Sequence, residues 1–344
     1  MKRAILSLFV LGLGWAASAH AVEYTNAVLD LGVGGRALGM GGAYVGLADD
    51  STAAYWNPAG LTGIKDFDVQ IAEEGNSSAL LNLGTNTVSS DYYFLTGGMT
   101  VPGVGSFGVA VMRFEDGGIP EVSKNLNPDG SPDQIGTFSD SDTGLFLSYA
   151  RPVWDWLDLG ASLKSVFGGT NGLVANAGVP GVTGDASYNY FGLDLGAQVQ
   201  FGRLTSALDG LTFGINLQDL VNSGVKWSGT PSSDRESVSC NPKTGLAYGL
   251  PFDFLKSAQT QVNLALDVDP VLYSPTMVVH YGAEVWYRQV LAFRGGIEQY
   301  TQSTQSPSPS LGLSLRLFNL LQFDYAYIYN ELTNLEYADL AFRW

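Results

Sequence analysis

From about residue 92 to its last residue the chain repeats one unit, a segment of about ten residues with apolar side chains at every second position. Clear copies are Phe191-Gly-Leu-Asp-Leu-Gly-Ala-Gln-Val-Gln-Phe201, Leu311-Gly-Leu-Ser-Leu-Arg-Leu317 and Phe323-Asp-Tyr-Ala-Tyr-Ile-Tyr329. Successive side chains of a strand point to opposite faces, so each copy has one apolar face and one polar face. A soluble β-sandwich alternates in the same way. What separates the two cases is the company the pattern keeps: a secretory leader before it and an aromatic, alternating strand at its end.

Met1-Lys-Arg3 is a basic start, Ala4 to Trp15 an apolar stretch and Ala19-His-Ala21 a small-x-small cleavage site, so residues 1–21 are expected to be a cleaved signal peptide. The apolar stretch falls short of the roughly 20 residues a transmembrane helix needs, and no later stretch reaches that length. Removing Lys2 and Arg3 moves the formal charge from −16 to −18. With 33 acidic residues against 17 basic ones, the chain is a poor partner for nucleic acid or for an anionic membrane surface. Cys240 is the single cysteine, which excludes an internal disulfide. Cys240 and His280, the only histidine after the leader, are too few for a Cys/His zinc cluster. Gly32, Gly34 and Ala37 fit a dinucleotide loop loosely, but no strand precedes them and no βαβ unit follows. No cofactor is expected.

Strands are predicted at 66–73, 92–101, 105–115, 141–151, 157–167, 188–201, 211–219, 241–250, 259–269, 278–287, 291–300, 310–317, 321–330 and 336–344. That is about 14, an even number, as in single-chain bacterial barrels. Connectors alternate between short ones (Pro102–Gly105, Arg151–Asp155, Arg288–Val290, Phe318–Leu320) and long polar ones (Asp116–Asp140, Gly168–Ser187, Leu220–Cys240, Thr301–Pro309). Outer-membrane barrels keep this parity, with short periplasmic turns and long external loops. The fold expected is therefore all-β: a transmembrane antiparallel barrel over residues 65–344, in the outer membrane of a Gram-negative-type bacterium, with both termini on the periplasmic side.

If residues such as Val109, Leu147, Phe213, Leu264, Phe293 and Leu315 face lipid, the alternate positions face inward. These include Asp158, Lys164, Asp194, Asp267, His280, Glu284, Arg294, Glu298, Arg316, Asp324, Asp339 and Arg343. Taking 288–290 as a three-residue turn places Glu284 opposite Arg294 and His280 opposite Glu298. A barrel of about 14 strands is too wide for its own side chains to fill. Residues 22–64, glycine-rich and without alternation, are the expected small hatch inside it. Asp49 or Asp50 is placed to cap a short helix through Ser51–Tyr55, and Pro58 to end it at Asn57.

The run Gly39-Met-Gly-Gly-Ala-Tyr-Val-Gly-Leu-Ala-Asp-Asp-Ser-Thr-Ala-Ala-Tyr-Trp-Asn-Pro-Ala-Gly-Leu61 resembles the N-terminal signature of the FadL-like superfamily of outer-membrane barrels, with Asn57, Pro58 and Ala59 as its most recognisable part. Thr244-Gly-Leu-Ala-Tyr-Gly249, His280-Tyr-Gly-Ala-Glu-Val-Trp-Tyr287 and Leu291-Ala-Phe-Arg-Gly-Gly-Ile297 look most like its PorV/PorQ-type branch, which is linked to secretion. The resemblance implies a 14-stranded barrel with an N-terminal hatch. It places the gate at Gly39, Gly41, Gly42, Asp49, Asp50, Asn57, Pro58 and Ala59, with outer-membrane lipids as surroundings. The first implied function is passive transport of a hydrophobic ligand of fatty acid or hydrocarbon type. The second is a PorV-like barrel whose external loops grip a secreted protein client. A lipid hydrolase with His280 as base is a third class, but a lone inward histidine paired to a carboxylate for structure is the plainer reading, and no enzyme is expected.

Leu340, Phe342 and Trp344 alternate at the extreme C-terminus and resemble the signal read by the barrel assembly machinery. Deleting Phe342–Trp344 also leaves part of the closing strand unpaired. Heat-modifiable, folded protein should fall sharply on this deletion, and normal yields of the folded form would count against the assignment.

Overall fold

The structure, a computed structural model, describes residue 29 and residues 31–76, 89–127, 130–172, 184–228, 238–252, 260–271, 275–302, 305–330 and 334–344. The expected signal peptide and residues 22–28 lie outside them. The first half of the wall is β1 (Phe67–Asn76), β2 (Ser89–Val101), β3 (Gly105–Leu126), β4 (Pro132–Trp154), β5 (Leu157–Asn171), β6 (Ser187–Gln200) and β7 (Leu211–Asn222). After a short β8 (Lys226–Ser228) come β9 (Asn241–Phe252), β10 (Thr260–Pro270), β11 (Met277–Tyr287) and β12 (Leu291–Tyr300). The wall ends with β13 (Ser308–Leu317), β14 (Leu321–Ile328) and β15 (Leu335–Arg343).

Each wall strand pairs antiparallel with its neighbours in sequence, and β1 pairs with β15, so fourteen strands form a closed ring. β8 stands outside the ring count, pairing with the start of β6. Closure leaves no wall edge open to another chain. Among the described residues no helix is long and apolar enough to cross a membrane.

Alternation sorts the faces as the pattern requires. Along β13, Leu311, Leu313 and Leu315 are exposed while Ser310 and Ser314 are buried. Val109, Leu147 and Leu163 face each other across β3, β4 and β5 and are 55%, 59% and 60% exposed. An outer surface this apolar and this continuous is matched to lipid, not to water. The inward positions Asp158, Lys164, Asp194, Asp267, Glu284, Arg294, Asp324 and Asp339 are all buried.

The turns set the register. Glu284 is paired with Arg294 and His280 with Glu298, as a three-residue turn at 288–290 demands. Arg288 and Gln289 take positive φ there, and Phe318 and Asn319 do the same in the next short turn. Several connectors are shorter than expected, Arg151–Asp155 among them because β4 runs to Trp154. Most of Asp116–Asp140 is strand, because β3 and β4 run 22 and 23 residues with register shifts near their far end. About ten residues cross a bilayer, so this hairpin projects well beyond it. The connector Leu220–Cys240 likewise contains β8 and the last residues of β7.

Leu147→Arg would place a cation in the middle of this apolar belt. We expect it to destabilise the barrel by about 2–4 kcal/mol in lipid vesicles, measured by urea unfolding, whereas Leu147→Phe should change little.

Candidate functional site

Residues 31–64 run irregularly and are almost wholly buried. Two single-turn helices, α1 (Gly35–Leu38) and α2 (Ala53–Trp56), and a 3-10 helix (Pro58–Gly63) are their only regular elements. Irregular backbone away from water must find partners for its N–H and C=O groups. Here the inner wall supplies them. Asp267 Oδ2 accepts from the amides of Tyr44 and Val45, each at 2.6 Å, and Asp339 accepts from the Gly35 amide. Gln198 donates to the Ala48 carbonyl at 2.9 Å, Asn216 to Trp56 at 3.0 Å, Ser162 to Ala54 at 3.1 Å and Thr96 to Ser51 at 2.9 Å.

Charge fixes one side. Arg36 is the only cation between residues 22 and 64. Its Nε and Nη2 donate to the two oxygens of Glu284 at 3.0 and 3.1 Å, and its Nη1 reaches Tyr44 Oη at 2.7 Å and Asp49 at 2.5 Å. Glu284 also accepts from Arg294 at 2.6 Å and Asn263 at 2.8 Å. Arg294 continues to Asp324 at 3.0 Å. Asp50 receives Tyr44 Oη at 2.8 Å and Arg343 at 3.1 Å. Burial alone would push the Asp50 carboxyl up, but Arg343 and then Arg36 pull it below the ordinary carboxylate range.

Close approach is the third device. Gly98 opposes Gly108, Gly160 opposes Gly196, Gly214 opposes Gly245 and Gly282 opposes Gly296, all on neighbouring strands. A Cβ at Gly160 would overlap Pro58 and Ala59, one at Gly214 the Val45 carbonyl, and one at Gly296 the backbone of Met40 and Gly41. The N-terminal backbone therefore rests where wall side chains are missing. Gly39 and Gly41 answer from the other side: a Cβ at Gly39 would come within 3.1 Å of Gly312 and one at Gly41 within 2.5 Å of Ile297.

The signature residues occupy this contact. Asn57 is extended (φ −165°), so α2 ends before it and Pro58 begins the 3-10 helix. Its side chain accepts from the Ala59 amide at 3.2 Å and donates to the carbonyls of Val45 and Ala197 at 3.0 and 3.1 Å, tying three chain segments together. The expected helix starts later than predicted, at Ala53 after Thr52; Asp50, not Asp49, accepts from the Thr52 amide at 3.1 Å in the turn leading into it. Asp49 is half-exposed and faces Arg36. His280 packs on Gly42, and its nitrogens face the Gly41 carbonyl, Asp269 and Glu298, an arrangement of structural contacts. Arg316 lies apart from the central charges, stacked 4.3 Å from the Trp286 ring centroid and bonded to Gln322.

On the long-connector side of this segment, Tyr92, Phe94, Met112, Phe146, Val166 and Tyr190 project inward and are buried around Tyr55, Trp56 and Leu29. On the short-turn side a cavity of about 400 Å³ lies between Gly46–Asp49, Thr62 and Gly63 and the wall residues Gln198, Gln200, Arg203, Asp209 and Thr212.

Arg36 and the opposed wall glycines escape a reading by strand pattern. Their signal is present all the same: one lone cation in a glycine-rich stretch, and glycines at inward-facing positions of adjacent strands.

The arrangement defines a closed antiparallel barrel with an apolar exterior and with residues 31–64 packed against its charged inner wall. Its fold is similar to that of the Ralstonia pickettii toluene transporter TbuX (16% identity, TM-score 0.61, covering 91% of this chain and 98% of that one). It is also similar to the Pseudomonas putida toluene transporter TodX (13%, TM-score 0.59, 91% and 99%) and to a Pseudomonas aeruginosa FadL homologue (14%, TM-score 0.52, 89% and 97%). At these identities the likeness is one of fold. No family model and no curated protein matches the sequence.

Gly295 and Gly296 test the contact at single-residue resolution. A Cβ at Gly295 meets nothing nearer than 4.0 Å, whereas one at Gly296 collides with Met40 and Gly41. Gly296→Val should leave a heat-modifiable barrel whose residues 31–64 become sensitive to protease, and Gly295→Val should behave as wild type. Equal protection in both variants would contradict the packing.

Proposed function

We propose that the protein is an outer-membrane channel for passive uptake of hydrophobic small molecules, with residues 22–64 as the hatch that restricts its lumen. The chain would reach the membrane behind a leader cleaved after Ala21 and be inserted by the barrel assembly machinery. One observation carries the reading: a buried apolar and aromatic sector, Tyr92, Phe94, Met112, Phe146 and Tyr190, lies inside a barrel whose inner wall elsewhere carries many buried charges. These side chains are packed against Tyr55, Trp56 and Leu29, so an apolar solute entering from the long-connector side would gain this surface by displacing that contact. The toluene transporters named above share this fold, which supports the ligand class.

The test is uptake of labelled toluene or oleate by cells whose outer membrane carries this barrel. Uptake should rise above the empty-vector level, and Phe94→Asp should remove the gain while the folded barrel persists. Uptake equal to that of the vector would sink the proposal. Deleting Gly34–Gly60 should turn a nearly closed barrel into a leaky one in bilayer recordings, and unchanged conductance would mean that the segment does not restrict the lumen.

A second reading, a PorV-like barrel serving a secreted client, draws on the projecting β3–β4 hairpin, which offers a protein-sized surface beyond the bilayer. Replacing 119–138 by a short turn would abolish client capture under that reading and leave solute uptake unchanged under the first.

A further inference from the structure

Asp267 on β10 and His280 on β11 are directly opposed in the wall. Together they hold one turn of the N-terminal segment by its backbone. Asp267 accepts from the Tyr44 and Val45 amides at 2.6 Å, and His280 Nδ1 lies 2.7 Å from the Gly41 carbonyl oxygen. A carbonyl oxygen only accepts, so Nδ1 carries a proton. The other nitrogen, Nε2, faces the Asp269 carboxylate at 3.5 Å, and Glu298 stands 3.7 Å from Nδ1.

The polar groups around the ring are thus acceptors from three directions: Gly41 of the segment, Asp267 and Asp269 of β10, and Glu298 of β12. The nearby cation, Lys243 of β9, is turned to Asp269 at 3.5 Å. A neutral imidazole must offer one nitrogen as an acceptor, and none of these partners has a proton to give it while ionised. The imidazolium can donate to both Gly41 and Asp269, whereas a neutral ring can donate to only one of them. The backbone held is itself unusual, since Gly41 and Gly42 both take positive φ (+67° and +80°), and a Cβ at Gly42 would come within 2.9 Å of Nδ1.

We propose that His280 and Asp267 form a proton-dependent clasp on residues 41–45. The charged ring grips the Gly41 carbonyl. Loss of one proton leaves a single N–H for two acceptors; where the Asp269 carboxylate takes it, the Nδ1 lone pair faces the Gly41 carbonyl and the turn loosens. Because that turn runs directly into Gly46–Asp49, which line the short-turn-side cavity, loosening it also frees the cavity's inner rim. The effect on flux rests on the hatch reading above, but the clasp itself is tested without transport.

The measurement is hydrogen exchange on the full-length protein in lipid nanodiscs between pH 5.5 and 9, corrected for the intrinsic pH dependence of exchange. Protection of peptides spanning 38–48 should drop by about fivefold across the window, the weight of one hydrogen bond, while peptides from β13 and β14 hold steady. His280→Gln, which keeps a donor and cannot titrate, should give a flat profile. A flat wild-type profile, or a wild-type-like profile retained in His280→Gln, would overturn the clasp. The wild-type profile decides the question even if the variant fails to fold. Bilayer conductance over the same window separates the two ideas: loosening without a conductance change supports the clasp and counts against the hatch.

Discussion

A ring of fourteen strands encloses more space than its inward side chains fill, and this chain fills the space with irregular backbone. That choice governs the inner wall. Each peptide group laid against it, away from water, requires a partner or costs free energy comparable to a lost hydrogen bond. The division of labour follows chemical need. Carboxylates (Asp267, Asp339) meet amides, while primary amides and hydroxyls (Gln198, Asn216, Ser162, Thr96) meet carbonyls. Where no side chain is wanted, glycines from adjacent strands stand opposite one another and the backbones touch.

The buried charges do a different job. Ion pairs withdrawn from water are a weak source of net stability, since desolvation cancels much of the attraction, but an unmatched partner is costly. Glu284 lies between Arg36 and Arg294, and Asp50 between Arg36 and Arg343. Any other seating of the segment would strand one of these charges. The network therefore acts chiefly on position, holding the segment to one orientation within the wall.

Much of this is legible in the amino-acid sequence. Period-two alternation and the parity of connectors are consequences of strand geometry, so the fourteen wall strands and their inward face could be read directly. The Glu284–Arg294 and His280–Glu298 pairs followed from the length of a single turn. The far end of β3 and β4 was hidden because a projecting hairpin has no lipid face, and Asp, Gly, Ser and Asn there resemble a loop. The sequence pattern places the start of α2 two residues early, and Asp50 divides its oxygens: Oδ1 takes the Thr52 amide, while Oδ2 meets Tyr44 and, across 293 residues of sequence, Arg343. Arg36 and Glu284 likewise meet only once the barrel closes.

Ile64 leads directly into β1, and β1 is the strand that joins β15: Phe67 and Trp344 exchange backbone hydrogen bonds of 3.1 and 2.8 Å at that junction. The segment thus leaves the lumen beside the place where the first and last wall strands meet. In the closed barrel the segment lies within the ring that the β1–β15 pairing completes. The final pairing is then more than a closing of the wall, because it encloses residues 31–64 as well.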